Sequence, residues 1–509
     1  MWRRMIRVCS LSLVVIFTPN AQTARTSLNG TVTDEQGKRI PAARIQAINV
    51  ATGYRHETET SPQGTYALPE LEPGTFAVEI AKPGFQSVRF QKVRLDVGQP
   101  RTLDISLGVA ERREEIGVSE AEFQLDRVDA TVGDSIEPKQ VSELPINGRN
   151  WSTLTSLVPG AIDTGAGDQR TTRFAGHGLD DNNVTLDGVD ATAVFNQMQR
   201  EYVRLTIPLG SIDQFDVKDQ TFGADVEGGT AGAQVAVVSP SGTNSFHGNI
   251  FDYFRNEAFE ARTPFSGYSS NPFLLNQFGA AAGGPIARNR LFFYAAYEGL
   301  RQRQDGTQIG LVPSPQFLAQ AARTSPALIP LLQAYPAGTS SASQPDVWNY
   351  AAPGRQINDE NSGMIRLDYH SDRTSSFVRF NSDEAVQTIP AGQLIAKTHY
   401  DTKFNNGVFE VLHVFLPTLI NEFKFGINQD FYHAATLSPV PYTFAVSGFS
   451  PLAGRTTSDN PSEAISLLDD ISWAKGSHTL KVGFEFKRLF LNQGTSHNES
   501  LTSHRPRVF

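Results

Sequence analysis

Two stretches in the second half of the chain alternate between apolar and polar residues: Ile420-Asn-Glu-Phe-Lys-Phe-Gly-Ile-Asn428 and Thr479-Leu-Lys-Val-Gly-Phe-Glu-Phe-Lys487. A period of two puts Phe423, Phe425 and Ile427 on one face of a strand. The polar members of the opposite faces are Glu422, Lys424, Asn428, Lys481, Glu485 and Lys487. Such strands are typical of a transmembrane β-barrel, which turns its apolar face to lipid and its polar face to a wet lumen. A soluble β-sheet has the same period, so both interpretations are open at this point.

Similar segments fill the region around these two stretches, where 24 of the 33 Phe lie between Phe246 and Phe509. Together they predict about nine antiparallel strands. The predicted hairpins and single strands cover residues 363–382, 404–431, 467–490, 249–256, 276–283 and 291–300. A long loop is expected over residues 302–361.

Composition narrows the class of protein. A chain of 509 residues is too long for one ordinary domain. Its 44 basic and 53 acidic residues give a net charge of −9, so there is no basic surplus for a nucleic-acid partner. No run of 18 apolar residues is present, which argues against a membrane-spanning helix.

Residues 1–24 have the organisation of a secretory signal peptide. Arg3, Arg4 and Arg7 precede an apolar run that starts at Val8, and Pro19 follows it. The alternative is a buried N-terminal strand or helix. The only cysteine, Cys9, lies in this run, so the mature chain is expected to lack disulfides, thiol nucleophiles and cysteine-based metal sites.

Residues 26–109 contain short strands separated by turn signals such as Asp34-Glu-Gln-Gly37 and Lys82-Pro-Gly84, which predicts an antiparallel β-sandwich. The motifs are Asp34-x-x-Gly37, Pro41-Ala-Ala43, Gly64-x-Tyr66, Leu71-x-Pro73-Gly74 and Gly84-Phe85. This arrangement resembles the carboxypeptidase regulatory-like domain, which has a carbohydrate-binding-type fold. Ser61-Pro62 departs from the family's usual Thr-Asp. His56 has no second metal ligand at useful spacing and is expected to be a surface strand residue.

A linker over residues 110–124 follows, and residues 125–231 are expected to form a small α+β domain. The linker contains Glu114-Glu-Ile-Gly-Val-Ser119, whose apolar part can either add as a strand to a partner's sheet or stay solvated. In the domain, Trp151-Ser-Thr-Leu-Thr-Ser-Leu157 predicts a short helix stopped by Pro159-Gly160, and Asp187-Gly188 predicts a two-residue hairpin turn.

The order of motifs in this domain and after it is specific. The motifs are Leu144-Pro-Ile-Asn-Gly-Arg-Asn150, Pro159-Gly160, Asn183-Val-Thr-Leu-Asp-Gly188, Ile212-Asp-Gln-Phe-Asp-Val217, Glu227-Gly-Gly-Thr-Ala-Gly-Ala233, Val238-Ser-Pro-Ser-Gly-Thr-Asn244, Phe254-Arg-Asn256, Gln277-Phe-Gly279, Gly283-Gly-Pro-Ile286 and Tyr297-Glu-Gly299. They resemble the plug and early barrel of TonB-dependent outer-membrane receptors, in the Oar-like subgroup. The resemblance decides the strands of residues 232–509 in favour of a barrel wall.

The expected fold is therefore mainly β. It comprises an N-terminal β-sandwich, a small α+β plug, and the start of a large antiparallel transmembrane β-barrel that is incomplete. The family's barrels are larger, with about 22 strands, so the chain is expected to be an N-terminal portion of a receptor.

The resemblance implies uptake of a ligand across the bacterial outer membrane, driven by a TonB-type energy-transducing protein, with the sandwich in the periplasm. It also implies contact with outer-membrane lipid and the barrel assembly machinery. The TonB-contacting residues are expected to be Glu114, Glu115, Ile116, Gly117, Val118 and Ser119. The ligand-contacting candidates, chosen for crowded polar groups on a plug loop, are Arg173, His177, Asp181 and Asn182. The ligand class is open among an iron chelate, a saccharide and a peptide.

Two other functions fit parts of the pattern. An outer-membrane-anchored adhesion protein would bind saccharide through the sandwich, whereas a passive porin would have no use for a plug. Enzymatic motifs and cofactor motifs are not found in the sequence. The acidic cluster from Asp180 to Asp190 lacks the spacing of a calcium loop, and Gly228-Gly-Thr-Ala-Gly232 lacks the Lys-Ser/Thr of a phosphate-binding loop.

Overall fold

A computed structural model gives the fold of most of the chain. The described residues are 24–109, 116–118, 132–144, 146, 149–164, 172–178, 181–192, 207–220, 232–259, 272–341, 344–390, 394–475, 478–492, 494–496 and 500–503. They form three parts in chain order: a sandwich, a small mixed domain and a large antiparallel sheet.

The sandwich has two facing sheets with a common apolar core. Its strands are β1 (Thr26–Asp34), β2 (Arg44–Asn49), β3 (Arg55–Glu59), β4 (Thr65–Leu71), β5 (Gly74–Ala81), β6 (Val88–Leu95), β7 (Arg101–Thr102) and β8 (Ile105–Leu107). One sheet has the order β4-β1-β7, with β8 also paired to β1, and the other has the order β3-β2-β5-β6. A ninth strand, β9 (Ile116–Val118), extends the second sheet beyond β6.

Alternation along each strand explains the sandwich core. In β2 the inward residues Ile45 and Ala47 are fully buried, while Arg44 is exposed. The turn before β4 needs glycine, because Gly64 has a φ of +70° and a Cβ there would lie 2.9 Å from the Val32 carbonyl oxygen. These features confirm the predicted β-sandwich.

The mixed domain is a five-stranded sheet with short helices. Its strands are β10 (Val132–Ile136), β11 (Ala161–Asp163), β12 (Thr172–Phe174), β13 (Asn183–Leu186), β14 (Val189–Asp190), β15 (Gln214–Gln220) and β16 (Gln234–Val238). The sheet order is β10-β15-β16-β13-β14, and β11 pairs with β12 alone. The helices are α1 (Pro138–Glu143) and 3₁₀ turns at Trp151–Leu157 and Leu209–Ser211.

Two local predictions for this domain are confirmed. The segment Trp151–Leu157 is helical, and its Trp151 ring is 1% exposed with Nε1 donating to the Ile207 carbonyl at 2.9 Å. Asp187 and Gly188 form the tight turn between β13 and β14, with φ values of +56° and +78°. Asp and Gly tolerate this left-handed region better than most other residues.

The large sheet has nine long antiparallel strands. They are β17 (His247–Asn256), β18 (Phe273–Ala287), β19 (Leu291–Pro313), β21 (Val347–His370), β22 (Thr374–Pro390), β23 (Lys397–Leu416), β24 (Leu419–Leu437), β27 (Ser462–Lys475) and β28 (His478–Leu491), each paired with the next. Short strands extend its edges and loops: β20 (Ser340–Ser341), β25 (Thr443–Val446), β26 (Thr456–Asp459), β29 (Gly494–Ser496) and β30 (Ser500–Ser503). Within the described residues β17 and β28 do not pair with each other, so the sheet is open.

The two faces of this sheet confirm the predicted alternation. In β24, Glu422 and Lys424 are 2% exposed while Phe425 is 40% exposed. In β28, Val482 and Phe486 are 57% and 49% exposed. The apolar face therefore points outward, and the polar face is covered by the sandwich and the mixed domain.

The predicted long loop over residues 302–361 is wrong. β19 and β21 continue far into it and pair from Leu291↔Tyr369 to Pro313↔Val347. These extensions contain many Gln, Asn and charged residues, so their hydrophobic pattern is weak. Backbone pairing and cross-strand ion pairs such as Arg303–Asp359 and Arg355–Asp305 hold them as strands. A prediction based on apolar periodicity misses them.

The ends of the sheet differ. Turns at residues 288–290, 371–373 and 417–418 are short, whereas the other end carries the connections 257–272, 314–346, 391–396 and 438–461. Helices α2 (Pro315–Thr324) and α3 (Ile329–Leu332) lie in the second of these, and 3₁₀ turns occur at Glu257–Phe259 and Pro326–Leu328. Residues of the connections 314–346, 391–396 and 438–461 form a common apolar core that includes Tyr335, Phe444 and Phe449. Among the described residues, no helix is both long enough and apolar enough to cross a membrane.

Candidate functional site

The polar face of the sheet and the mixed domain meet at a buried ion cluster centred on Asp187. The Asp187 carboxylate accepts hydrogen bonds from the Ser239 backbone N–H and hydroxyl, both at 2.8 Å, and from Arg379 Nε at 2.9 Å. Arg366 Nη1 lies 3.4 Å from the same carboxylate. Asp187 comes from the tight turn, and the two arginines are opposite each other on β21 and β22.

The Asp187 cluster is buried, so each charge in it needs an opposite charge nearby. Asp187 is 2% exposed and Arg379 is 1% exposed. Burial alone would raise the pKa of Asp187, but Arg379 and Arg366 together hold it below its usual value. The carboxylate therefore stays ionised and compensates the two guanidinium groups.

A ladder of asparagines continues from this cluster along the polar face. Arg379 Nη1 donates to Asn406 Oδ1 at 2.6 Å, and Asn406 Nδ2 donates to the Asp190 carbonyl at 2.9 Å. Asn428 Nδ2 donates to the Thr192 carbonyl at 3.2 Å. The turn from Asp187 to Thr192 is thus held by side chains of three neighbouring strands.

A second contact fixes the other side of the mixed domain. Arg149 Nε lies 3.2 Å from Glu298 Oε2, and the Arg149 guanidinium stacks 4.0 Å from the centre of the Phe251 ring. Glu298 also accepts a hydrogen bond from Gln277 at 2.6 Å. Arg149 belongs to the motif Leu144-Pro-Ile-Asn-Gly-Arg-Asn150, so this motif contacts the wall of the sheet.

The sandwich docks at the short-turn end of the sheet through a third cluster. Arg25 is 5% exposed and forms ion pairs with Glu410 and, at 2.7 Å, with Glu422. Lys424 Nζ lies 3.3 Å from Glu410 and 3.2 Å from Glu422. Although burial opposes its charge, these carboxylates and Glu72 raise the pKa of Arg25 above its ordinary value.

Other contacts extend this junction between the sandwich and the sheet. Glu70 accepts from Ser472 at 2.8 Å and from Lys481 at 3.0 Å, and Glu72 accepts from Ser375 at 2.8 Å. The Tyr54 ring stacks on His370 with 4.9 Å between centroids. A cavity of about 900 Å³ lies at the same junction.

His56 lies at this junction and corrects the expectation of a surface residue. Its side chain is 7% exposed and contacts Tyr54 edge-on, with 4.7 Å between ring centres. Burial lowers the pKa of His56 to about 4. The sequence does show it on a strand, but the surface that covers it comes from a distant part of the chain. Within the described residues no group of three or more His, Cys, Asp or Glu is placed to hold a metal ion.

The predicted ligand-contacting residues lie together at one end of the mixed domain. Arg173 is exposed on β12, and His177 follows it in a turn. Asp181 Oδ2 accepts from the Gly178 N–H at 2.8 Å, which shapes that turn. Asn182 is 4% exposed and bonds internally to the Thr172 carbonyl and the Ala233 N–H.

Topology places this group away from the sandwich. β13 runs parallel to β16, and β16 leads into β17 at the short-turn end. Residues just before β13, including Asp181 and Asn182, therefore lie toward the long-connection end. Their role as ligand contacts stays a prediction.

Of the predicted TonB-contacting residues, Ile116, Gly117 and Val118 form β9 on the edge of the sandwich. Glu114, Glu115 and Ser119 lie outside the described residues. The role of all six stays a prediction.

Sequence reasoning missed the three ion clusters. In the alternating strands, the sequence does show which positions carry the polar side chains. These positions include Glu298, Arg366, Arg379, Glu410 and Lys424. The alternation predicts which residues face inward, but it does not predict which residues they contact.

The arrangement matches known proteins. Residues 238–504, more than half of the chain, match the family described as outer membrane beta barrel domain, and residues 27–108 match the carboxypeptidase regulatory-like domain. The TonB-dependent transporter Oar of Myxococcus xanthus is 24% identical over 287 residues, which are 53% of this chain and 26% of that protein. The chain thus spans about a quarter of the length of this curated relative.

A solved structure has the same fold. The outer membrane transporter YddB from Escherichia coli superposes with a TM-score of 0.51 at 11% identity, covering 73% of this chain and 50% of that one. An apolar outer face and a polar inner face are the features of a barrel wall.

The chain belongs to the outer membrane beta barrel domain family, and it resides in the bacterial outer membrane. It resembles Oar-like TonB-dependent receptors and has an N-terminal carboxypeptidase regulatory-like domain, which confirms the resemblance drawn from its motifs. The large sheet corresponds to the barrel wall, and the assignment of the mixed domain as the plug stays a prediction.

Proposed function

We propose that this chain is the plug-bearing part of a receptor that takes up a ligand across the outer membrane with energy from a TonB-type partner. The observation that carries the proposal is the plug held on the inner wall by the Asp187 cluster and the Arg149–Glu298 pair. Its curated relative and its structural neighbour are both named as transporters. A passive porin has no use for a plug.

The buried clusters also explain why energy is needed. Moving the plug separates Asp187 from Arg379 and Arg149 from Glu298, and each separation leaves charges that the protein interior does not solvate. Breaking one such pair costs about 3–5 kcal/mol. Spontaneous opening is therefore rare, and a mechanical pull from the periplasmic side supplies the difference.

The segment from Glu114 to Ser119 is our assignment for the point of pull. It connects the sandwich to the plug, so force applied there reaches the plug directly. Its described part, Ile116–Val118, is already extended, which is the conformation that strand addition requires. The sandwich contacts the short-turn end, which corresponds to the periplasmic side in barrels of this kind.

The proposed ligand-binding residues lie at the opposite end of the plug. Arg173, His177 and Asp181 offer donors and acceptors near the long connections, where a ligand arrives from outside. Their chemistry fits an iron chelate, a saccharide or a peptide. Asn182 is buried and bonded to Thr172 and Ala233, so we assign it to support of this loop.

The test uses the complete gene and a deletion of residues 114–119. Cells expressing each form are offered three labelled probe sets, namely ⁵⁵Fe-chelates, oligosaccharides and short peptides, with and without a proton uncoupler. We expect uptake of one set that both the uncoupler and the deletion abolish, while the amount of folded receptor in the outer membrane is unchanged.

An equal deletion of residues 121–126 is the matched control, and it should retain most of the uptake. Normal uptake by the 114–119 deletion would refute the assigned segment. Binding that is indifferent to the uncoupler, with no uptake of any probe, would favour the adhesion function instead.

A further inference from the structure

A cavity of about 900 Å³ lies where the sandwich meets the short-turn end of the sheet, and we call it the junction cavity. On the sheet side its lining comes from the turns at residues 288–290, 371–373 and 417–418 and from the strand ends beside them. On the sandwich side the lining includes the start of β3 and Tyr54, which directly precedes that strand. Two distant parts of the chain therefore form one cavity.

The lining of the junction cavity carries an excess of positive charge. Three arginines contribute to it, and within the described residues none of their guanidinium groups has a hydrogen bond or an ion pair. They are Arg55, Arg290 and Arg373. The lining has two carboxylates, Glu57 and Asp372, and Glu57 is already paired with Arg44 at 2.7 Å. Unpaired guanidinium groups bind phosphate oxygens through parallel hydrogen bonds, so the charge and the donors favour an anion of this kind.

A buried hydroxyl in the wall of the junction cavity also has no partner. Tyr54 is buried, its ring stacks on His370, and its Oη makes no hydrogen bond within the described residues. Buried polar groups of this kind are rarely left unpaired, because the lost hydrogen bond to water costs free energy. Burial raises the pKa of Tyr54 to about 12, so the hydroxyl stays protonated and can donate to an anion.

The apolar part of the lining belongs to the lipid-facing surface of the sheet. Tyr369 and Phe415 line the junction cavity and are also exposed, and they lie at the short-turn ends of β21 and β23. Short turns mark the periplasmic end of an outer-membrane barrel, and aromatic residues form a girdle at the boundary between lipid and water. The cavity therefore adjoins the membrane at the level of the lipid headgroups.

We propose that the junction cavity binds the phosphate headgroup of a phospholipid from the periplasmic leaflet of the outer membrane. The three arginines bind the phosphate, and the Tyr54 hydroxyl donates to it. The acyl chains lie along Tyr369 and Phe415, on the outer face of the sheet. The lipid then bridges the sandwich and the barrel wall. The site depends on the outer-membrane location of the chain and is independent of the proposed uptake.

A lipid fits the lining better than a free anion does. A free anion would use the arginines and the Tyr54 hydroxyl only, whereas the cavity continues onto exposed aromatic rings that face the acyl chains of the membrane. Burial of acyl chains on that surface adds to the binding free energy, while the phosphate provides the specificity for the cavity.

The test uses the complete receptor, freed of lipid and immobilised in a non-ionic detergent. A scintillation proximity assay measures the binding of three radiolabelled probes: phosphatidylglycerol, diacylglycerol with the same acyl chains, and inorganic phosphate. The variant is Arg290→Gln with Arg373→Gln. The matched control is Arg288→Gln with Arg323→Gln, which changes the net charge equally at two exposed arginines outside the lining. A further variant, Tyr54→Phe, removes only the hydroxyl.

We expect saturable binding of phosphatidylglycerol and no saturable binding of diacylglycerol. Inorganic phosphate should bind at least ~100-fold more weakly than phosphatidylglycerol, because it buries no apolar area. The Arg290→Gln/Arg373→Gln variant should bind phosphatidylglycerol ~30-fold more weakly, since each arginine contributes a factor of about five at an anionic lipid headgroup. Tyr54→Phe should bind it ~5-fold more weakly, and the control pair should stay within ~2-fold of wild type, because exposed charges are screened.

Three results would overturn the site. If the Arg290→Gln/Arg373→Gln variant binds phosphatidylglycerol as tightly as its control, the cavity does not hold the headgroup. If diacylglycerol binds as tightly as phosphatidylglycerol, the phosphate is not recognised. If inorganic phosphate binds as tightly as the lipid and the arginine variant weakens both, the cavity is a site for a free anion and the lipid assignment is wrong.

Discussion

Replacing Asp187 with asparagine is the most direct test of whether the Asp187 ion cluster holds the plug against the barrel wall. The change preserves the size of the side chain and its tolerance of the left-handed φ of +56°, so the turn keeps its shape. It removes the negative charge that faces Arg379 at 2.9 Å and Arg366 at 3.4 Å. The perturbation is therefore electrostatic.

The free-energy cost of the substitution depends on which hydrogen-bond and ion-pair partners each arginine keeps. Arg366 keeps a carboxylate partner, because Asp368 lies 2.8 Å away. Arg379 keeps only the neutral acceptors Asn406 and Leu186. Breaking a buried ion pair costs about 3–5 kcal/mol, and with one arginine still compensated we expect about 3 kcal/mol. That is a rise of ~100-fold in the population of undocked plug.

Hydrogen exchange in the complete receptor measures this population. The backbone N–H of Asn183 donates to the Ala233 carbonyl at 2.9 Å, and that of Val184 donates to Thr192 Oγ1 at 2.8 Å. The Asn variant should lose ~100-fold of the protection of these two N–H groups.

Ser239→Ala is the matched control, because it removes a hydroxyl that donates to Asp187 and accepts from Arg366 but leaves every charge of the cluster in place, at a cost of about 1.5 kcal/mol. Adding Arg379→Gln to the Asn variant should restore part of the protection, since no uncompensated guanidinium then remains at that position.

Protection within about threefold of wild type in the Asn variant would refute the reasoning, because that is less than the loss expected for Ser239→Ala. It would mean that the cost of desolvating the cluster cancels its Coulombic gain.

Three further predictions concern other parts of the molecule. Arg25→Ala leaves Glu410 without its closest cation and should weaken sandwich docking by about 3–5 kcal/mol. The measurement is the rate at which a protease releases the sandwich, which should rise. Arg44→Ala removes one partner of an exposed ion pair and should change this rate little. The pKa of His56 is lowered by burial from 6.5 to about 4, so the docked sandwich should have its full stability above pH 6.5 and lose about 3 kcal/mol as the pH falls to 4. Thermal melts across that range check this, and a His56→Gln variant that keeps the same pH slope would contradict it. Phe425→Lys places a charge on the lipid face and should destabilise the folded protein by about 2–4 kcal/mol if the residue lies near the membrane midplane. The measurement is the yield of heat-modifiable folded protein, which should fall. An unchanged yield would argue against lipid contact at this position.

Local chemistry made the elements predictable. The alternation in Ile420–Asn428 correctly assigned outward and inward faces because successive side chains of a strand point to opposite sides. The Asp187-Gly188 turn was predictable because few residue pairs adopt two consecutive positive φ values. The extended ends of β19 and β21 were not predictable, because their polar residues have no strong period.

By itself, the sequence determined the order of sandwich, plug and barrel strands, and the phase of each strand. Only the tertiary structure decided which inward charges meet. Asp187 and Arg379 are 192 residues apart, and Arg25 and Glu422 are 397 apart. A shift of one residue in strand register would turn each of these side chains to the opposite face. Such pairs depend on register and docking summed over the whole sheet, and no local pattern of residues contains that information.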